Sequence, residues 1–553
     1  MVVFLVLLRA AIYETLESPD FFLGLDPALA VITAISGRTL FPAFIPAMIV
    51  LILAPVIGRV FCGYICPMGT TLDGGDKLFS TRKKKIAGNR SEFFPRTVKY
   101  MVLIFMLGAS VLGVSFIFAG SPLSLITRLY GLVIFPALSF LAEKTLELIQ
   151  PIAYYLDLQT LLYAQIKTPR FATQVFILFF FIALFASARF SPRFWCRYLC
   201  PSGALLALVS KKPLIRRHVS EDCTECGKCA RSCPMGAIPD GEPETTLSRE
   251  CIVCRTCENI CPVSAVSFRI ESKITYQLRL PKFQENRKPD KPDRISLTRR
   301  GFIYSGLAGT GTALISITSL DSVHGKPGEG QVLPELLRPP GALPEPNFLS
   351  QCVRCGECMA ACPTNTLQPI WLDSGFAGLF SPRLVPRRKF CDPKCNRCGE
   401  VCPTGAIRNL TKKDRIWAKT GTAVIFRQKC LAWEHRKSCM VCDEVCPFDA
   451  IEFKKETGNP FAVPHVKEDK CAGCGYCEYF CPVQNQAAIV VTPMGALRLS
   501  RGSYEKEGRS RKLELLLKPK DIKHDLSTPD MEYPEGTAPG FEDAPGFEDI
   551  PDS

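Results

Sequence analysis

Six stretches of the chain set four cysteines close together and place a proline directly after the last. In its regular form the run is Cys-x2-Cys-x2-Cys-x3-Cys-Pro, found at Cys223, Cys226, Cys229, Cys233 and at Cys251, Cys254, Cys257, Cys261. It recurs at Cys352, Cys355, Cys358, Cys362 and at Cys471, Cys474, Cys477, Cys481. Two variants stand between these, Cys391, Cys395, Cys398, Cys402 and Cys430, Cys439, Cys442, Cys446. Three closely spaced thiolates can wrap a [4Fe–4S] cubane, and in two-cluster arrangements the fourth reaches the neighbouring cluster. That rule assigns Cys223, Cys226, Cys229 and Cys261 to one cluster, and Cys251, Cys254, Cys257 and Cys233 to its partner. Structural zinc pairs two short knuckles across a longer spacer, a poor match for four thiols inside eleven residues.

Of the 28 cysteines, four remain. They lie in "VFCGYICPMG" (60–69) and "FWCRYLCPSG" (194–203), each directly after an apolar run. Neither Cys62/Cys66 nor Cys196/Cys200 alone completes a four-coordinate site. Together they could ligate a seventh cluster. The alternative is a pair of redox-active dithiols acting near a quinone without iron, and spacing leaves both open.

The elements that must position these thiols are apolar and helical. At 553 residues the chain has room for several domains. Runs near 39–58, 98–119 and 171–190 are each about 20 residues, the length of a bilayer crossing. A fourth at 2–13 reads as part of a span. Residues 123–165 carry Glu143, Lys144, Glu147 and Asp157 among apolar patches, and read as interfacial or re-entrant. Residues 59–99 hold nine Lys/Arg against three acids, whereas 9–38 hold two against four. The basic loop is therefore expected inside, with both Cys-Pro pairs at the cytoplasmic face. That topology also accounts for much of the net charge of +14 without nucleic acid as a partner. A reducing cytoplasm argues against disulfides among the first eight motif cysteines.

The expected fold is a membrane α-helical bundle carrying α+β bacterial-type ferredoxin domains. Its parts are a transmembrane domain (1–210), a cytoplasmic two-[4Fe–4S] domain (211–280), and a linker with a signal or anchor helix (281–325). An exported four-[4Fe–4S] domain (326–504) and a disordered acidic tail (505–553) complete it. In "SLTRRGFIYSGLAGTGTALISITSL" (296–320), Arg299 and Arg300 precede a mildly apolar core. One reading is a further membrane helix with its positive flank inside. The other is an internal twin-arginine export signal that stays as an anchor. Both send the following cluster motifs outside. "GLAGTG" (306–311) fits no full nucleotide-binding pattern and reads as helix packing.

On these motifs, residues 1–275 resemble NapH, the membrane polyferredoxin associated with periplasmic nitrate reductase. Residues 296–500 resemble its partner NapG, an exported four-cluster ferredoxin, including "CLAWEHRKSCMVCDEVCP" and "CAGCGYCEYFCPVQNQAAI". The chain thus resembles a natural fusion of the two. The resemblance implies a relay in the cytoplasmic membrane, taking electrons from quinol and passing them to an extracytoplasmic cytochrome or reductase. The cytoplasmic clusters offer a second entry for an electron donor. The same membrane module resembles FixG, which implies a reductive assembly or maintenance factor as the alternative. It also resembles NosR, implying an accessory protein or redox sensor, although no flavin domain is recognisable.

Only five histidines occur, His218, His324, His435, His465 and His524. None lies in an apolar run and no Cys-x-x-Cys-His occurs, so haem is not expected. His435 reads as a surface residue. No substrate site beyond electron transfer is evident. Quinone contact is expected beside the Cys-Pro pairs, where Arg59, Tyr64, Arg193 and Arg197 could stabilise reduced quinone or cluster charge, or simply snorkel.

Overall fold

The computed structural model of the chain describes residues 20–79, 95–156, 168–270, 297–323, 336–371 and 375–518. The early segment 2–13, the basic run 82–85, most of the 281–296 linker and the "PGFED" repeats lie outside the described residues.

The N-terminal half is a helical domain. Asp26 caps α1 (Pro27–Gly37), accepting hydrogen bonds from Ala28 and Leu29 N–H, with Pro27 opening the helix. There follow α2 (Ile45–Ile57), α3 (Pro67–Phe79) and α4 (Val98–Val111). Next come α5 (Pro122–Leu129), a π turn (Tyr130–Ile134) and α6 (Phe135–Tyr155), then α7 (Gln174–Ala186) and α8 (Pro201–Val209).

The helix lengths correct the sequence reading. Pro122–Pro151 is the one helix among the described residues long and apolar enough to cross a bilayer. It falls where an interfacial segment was expected. The expected spans instead form the shorter helices Pro42–Ile57, Val98–Val111 and Gln174–Arg189. The charged residues of the first case sit past the apolar stretch, where Lys144 and Glu147 pair on an exposed face.

Two small α+β modules attach to this domain. In the first, β1 (Ile215–Val219) pairs antiparallel with β2 (Val266–Ile270), framing the motifs at 223–261. The second follows α9 (Arg299–Val323). It contains three two-stranded antiparallel sheets: β3 (Leu367–Pro369) with β4 (Pro382–Leu384), β5 (Thr422–Ile425) with β8 (Ile489–Thr492), and β6 (Ile451–Lys454) with β7 (Val463–Val466). The tail begins later than expected. Helix α10 (Tyr504–Ser510) packs on Trp417, Tyr504 and Leu515 are fully buried, and Lys518 pairs with Asp449. Residues 505–518 thus belong to the module.

The modules sit at opposite ends of α4. Lys99, at its start, bonds Glu250 of the first module, whereas Ser115, just past its end, accepts from Arg354 of the second. Fourteen residues of helix put about 21 Å between these ends. Helix α9 runs beside α4 in the same direction. Gly301 faces Met101, and a Cβ at Gly108 would stand 2.8 Å from the Gly306 carbonyl oxygen. A Cβ at Gly309 would overlap the Phe105 carbonyl. Of the "GLAGTG" glycines, Gly306 and Gly309 therefore lie where the two backbones approach, whereas Gly311 faces open space.

Candidate metal centres

Proline after the last cysteine has a local consequence. Cys66 (φ −69, ψ 112), Cys200 (φ −67, ψ 113) and Cys233 (φ −68, ψ 114) are extended. Proline at Pro67 and Pro201 then opens a helix, because its fixed φ suits the first turn and its missing N–H is not needed there. The sulfur is left facing free amides. Cys200 Sγ accepts from Gly203 N–H at 3.2 Å and Cys233 Sγ from Ala237 N–H at 3.2 Å. Cys402, Cys446 and Cys481 accept likewise from Ile407, Ala450 and Ala488, each at 3.4 Å. Such bonds favour a charged, ligating thiolate and tune its potential.

The thiols gather in fours, and the fourth is contributed across motifs. Cys251 lies within electrostatic reach of Cys233, Cys257 and Cys254, the set expected from sequence. Cys229 and Cys261 share the small core beside it. In the second module, Cys352, Cys355 and Cys358 gather with Cys402, and Cys391, Cys395 and Cys398 with Cys362. Likewise Cys471, Cys474 and Cys477 take Cys446, while Cys430, Cys439 and Cys442 take Cys481. This half therefore contains two dicluster units, a pairing that sequence left open. In the helical domain, Cys62, Cys66, Cys196 and Cys200 come together from its two halves.

The donor sets fit iron–sulfur clusters. No three Cys, His, Asp or Glu side chains among the described residues converge as a single metal ion would require. The thiols instead line shared hollows, one ringed by Cys233, Cys251, Cys254 and Cys257 and another by Cys430, Cys439, Cys442 and Cys481. Burial pushes the Cys251 and Cys442 thiols up to about 12, with neighbouring thiols adding to the effect. Four such groups ionise together only against a compensating cationic centre, which cluster iron supplies.

The seven sets follow one another through named contacts. Arg217 donates to Cys229 Sγ at 3.4 Å and also bonds Cys257, joining the two sets of the first module. Arg193 lies within reach of both Cys196 and Cys254, and Tyr64 donates to the Val253 carbonyl at 3.3 Å. In the second module Cys358 is near Cys398, Cys391 N–H donates to the Cys474 carbonyl at 2.8 Å, and Cys477 is near Cys442. The set nearest the helical domain is that of Cys355, whose carbonyl accepts from Thr127.

Arg59 and Arg197 bond the first module, Arg193 pairs within the helical domain, and Arg59 and Arg193 also lie within electrostatic reach of the Cys62, Cys200 and Cys196 thiols. Arg59 is buried and donates to the Arg249 carbonyl at 2.9 Å and to Glu250 at 3.4 Å. Arg193 pairs with Asp73 at 2.6 Å, and Arg197 donates to the Pro234 carbonyl at 2.8 Å. Burial alone would raise the Glu250 carboxyl, but the Lys99 and Arg59 charges outweigh it and hold it below the usual range. His435 is exposed and lies in no thiol set. Sequence reasoning missed Asp26, counted there as a loop acid and here wholly buried. The dipeptide Asp26-Pro27 before an apolar run was the available signal.

Comparison with known proteins finds 4Fe-4S domain models along the same stretches of the chain. A model described as "4Fe-4S binding domain" matches residues 39–86 and 173–220, bracketing both Cys-Pro pairs of the helical domain. Models described as "4Fe-4S dicluster domain" match 215–262 and 435–485, and a further "4Fe-4S binding domain" matches 348–368. The methylamine utilization ferredoxin-type protein MauM of Methylorubrum extorquens is 36% identical over 217 residues, 37% of this chain and 91% of that protein. The ferredoxin-type protein NapG of Escherichia coli is 39% identical over 183 residues, 31% of this chain and 77% of that protein. NapG of Haemophilus influenzae is 33% identical over 274 residues, 46% of this chain and 91% of that protein.

Proposed function

The chain belongs to the family of ferredoxin-type iron–sulfur proteins that includes MauM and NapG, and from that premise we propose that it relays electrons between the membrane quinone pool and extracytoplasmic redox partners. The observation that carries the reading is the seven thiol sets strung from one module, through the helical domain, to the other. When bound, the clusters supply reversible one-electron storage. The chain's own residues bury them, donate amide hydrogen bonds to sulfur and hold neighbouring sets in contact.

In this reading the helical domain is a membrane bundle with its Cys-Pro face towards the cytoplasm. Residues 211–270 are the cytoplasmic module and residues 336–518 the exported one, delivered behind the Arg299–Arg300 signal and anchored by α9. Support comes from the helix Pro122–Pro151, from the glycine-mediated packing of α9 on α4, and from the attachment of the modules at opposite ends of α4. The terminal partner is a periplasmic cytochrome or reductase.

Anaerobic purification with iron counting tests the cluster part. Seven sets predict about 28 iron atoms, and about 24 would leave the Cys62/Cys66/Cys196/Cys200 set as dithiols. Addition of a quinol should then reduce the clusters, seen by low-temperature magnetic resonance. A fully loaded chain that quinol leaves oxidised would remove the quinone pool as the source.

A further inference from the structure

One buried carboxylate has no part in binding the first module or any cluster. Asp26 is wholly buried, as are Ser121 and Ser124, and Ser202 is nearly so. Burying a carboxylate in apolar surroundings is costly unless its oxygens are satisfied. Here the α1 amides of Ala28 (3.1 Å) and Leu29 (3.2 Å) donate to Oδ1, as does the Ser202 hydroxyl. The Ser121 hydroxyl donates to Oδ2 at 2.6 Å.

The positions of those serines matter more than the carboxylate itself. Ser202 is two residues past Cys200, in the turn whose Gly203 amide donates to Cys200 Sγ. Ser121 caps α5, accepting from Ser124 N–H at 3.2 Å, and Ser124 Oγ donates to the Val353 carbonyl at 2.9 Å. Val353 is bonded directly to Cys352. One turn on, Thr127 donates to the Cys355 carbonyl at 3.2 Å. A continuous buried path thus runs from Cys200, through Ser202, Asp26, Ser121 and Ser124, to the Cys352 loop.

We propose that Asp26 and its serines are a fixed joint that makes the helical-domain thiolate set and the first set of the outer module consecutive stations of one conductor. The chain then carries electrons from a low-potential protein donor of the ferredoxin or flavodoxin class straight through the bilayer, with no diffusing carrier in between. Each event moves one electron: the donor is oxidised, an outer one-electron acceptor is reduced, no covalent bond changes and no proton is taken up. Asp26, Ser121 and Ser202 are positioning residues in this scheme. It rests on the reading of the thiol sets as cluster sites in a membrane-spanning chain.

The test uses the full, iron-loaded chain in sealed, quinone-free vesicles with cytochrome c trapped inside and a reduced bacterial ferredoxin outside. The trapped cytochrome should be reduced by the wild-type chain. Asp26→Asn and Ser202→Ala, at unchanged iron content, should slow this several-fold, because the Cys200 turn and the Cys352 loop are then no longer held at one separation. Ser202→Thr, which keeps the hydroxyl, should restore it. Low-temperature magnetic resonance should show spin coupling between the two neighbouring centres, weakened in Asp26→Asn. Reduction that begins only when quinone is added overturns the proposal while sparing the quinol relay. Wild-type rates and coupling in both variants overturn it too. Missing iron at the Cys62 set, read before any rate, overturns the cluster assignment beneath it.

Discussion

Replacing Glu250 with glutamine should loosen the 215–270 module from the helical domain while leaving its thiol sets intact. The Glu250 carboxylate meets Lys99 Nζ at 2.5 and 2.6 Å and Arg59 at 3.4 Å. The three side chains are 7%, 0% and 1% exposed. Each ion pays several kcal/mol of desolvation, offset only by its partners. Glutamine keeps the shape but removes the one anion, leaving two buried cations facing each other. Breaking a buried pair in this way costs about 3–5 kcal/mol, which is about two to three and a half powers of ten in the docking equilibrium. Among the bonds that remain are Arg59–Arg249, Arg197–Pro234, Arg96–Gly236 and Tyr64–Val253, each worth about 1 kcal/mol net. The assay is hydrogen exchange on the purified holoprotein, comparing peptides around 250–254 with those of β1 and β2. Protection should fall at the interface and persist in the strands. Lys99→Met combined with Glu250→Leu should recover part of the loss, because it removes one of the two buried cations while Arg59 keeps only the Arg249 carbonyl on that side. Wild-type interface protection in Glu250→Gln would refute the reasoning.

Acid should act through the same residue. A depressed carboxyl contributes stability that is complete above its ordinary value of 4.5 and lost as pH falls through its lower folded value, so interface exchange should rise only below about pH 4.5, whereas Glu250→Gln should show no such step. Gly309→Val should drive α9 off the Phe105 carbonyl and cost about 1–3 kcal/mol. Gly311→Ala, with nothing within 4 Å of the added Cβ, should leave thermal stability in detergent unchanged or slightly higher. Arg415→Gln removes a cation bonded at 3.1 Å to Cys391 Sγ. The potential of that centre should fall by tens of millivolts in a redox titration, since the charge favours the more negative state. Iron removal by chelator should expose the amides of both modules to exchange, because their two-stranded sheets are too small to hold without the clusters they frame.

The cysteine motifs were legible because cluster ligation imposes a spacing rule that survives any surroundings. The Cys233/Cys261 exchange followed from that rule, and the second module repeats it twice over with Cys362/Cys402 and Cys446/Cys481. Which motif partners which was not legible there. The eight residues between Cys430 and Cys439 hide the period, and only the folded chain brings Cys481 to them. The length of the apolar helix at 122–151 was hidden because Glu143, Lys144 and Glu147 follow its apolar part within the same helix. Arg59 and Arg197 looked like membrane-edge cations. Their partners are backbone carbonyls and an acid about 40 to 190 residues away, which no local window contains.

Asp26 shows how a single chain can hold both modules in register. Covalent continuity fixes stoichiometry but does not by itself fix geometry. Geometry comes from buried polar contacts that are satisfied in one arrangement only. At one end of α4 the Glu250 triad performs this selection, and at the other Ser36 donates to the Ser350 carbonyl at 2.7 Å while Arg354 stacks on Phe118. Between them Asp26 ties the Cys200 turn to the second module. Apolar packing alone would tolerate sliding of a few ångströms with little change in energy. Tunnelling rates would not tolerate it, and this is the physical reason for polar groups to stand where a purely structural interface would be greasy.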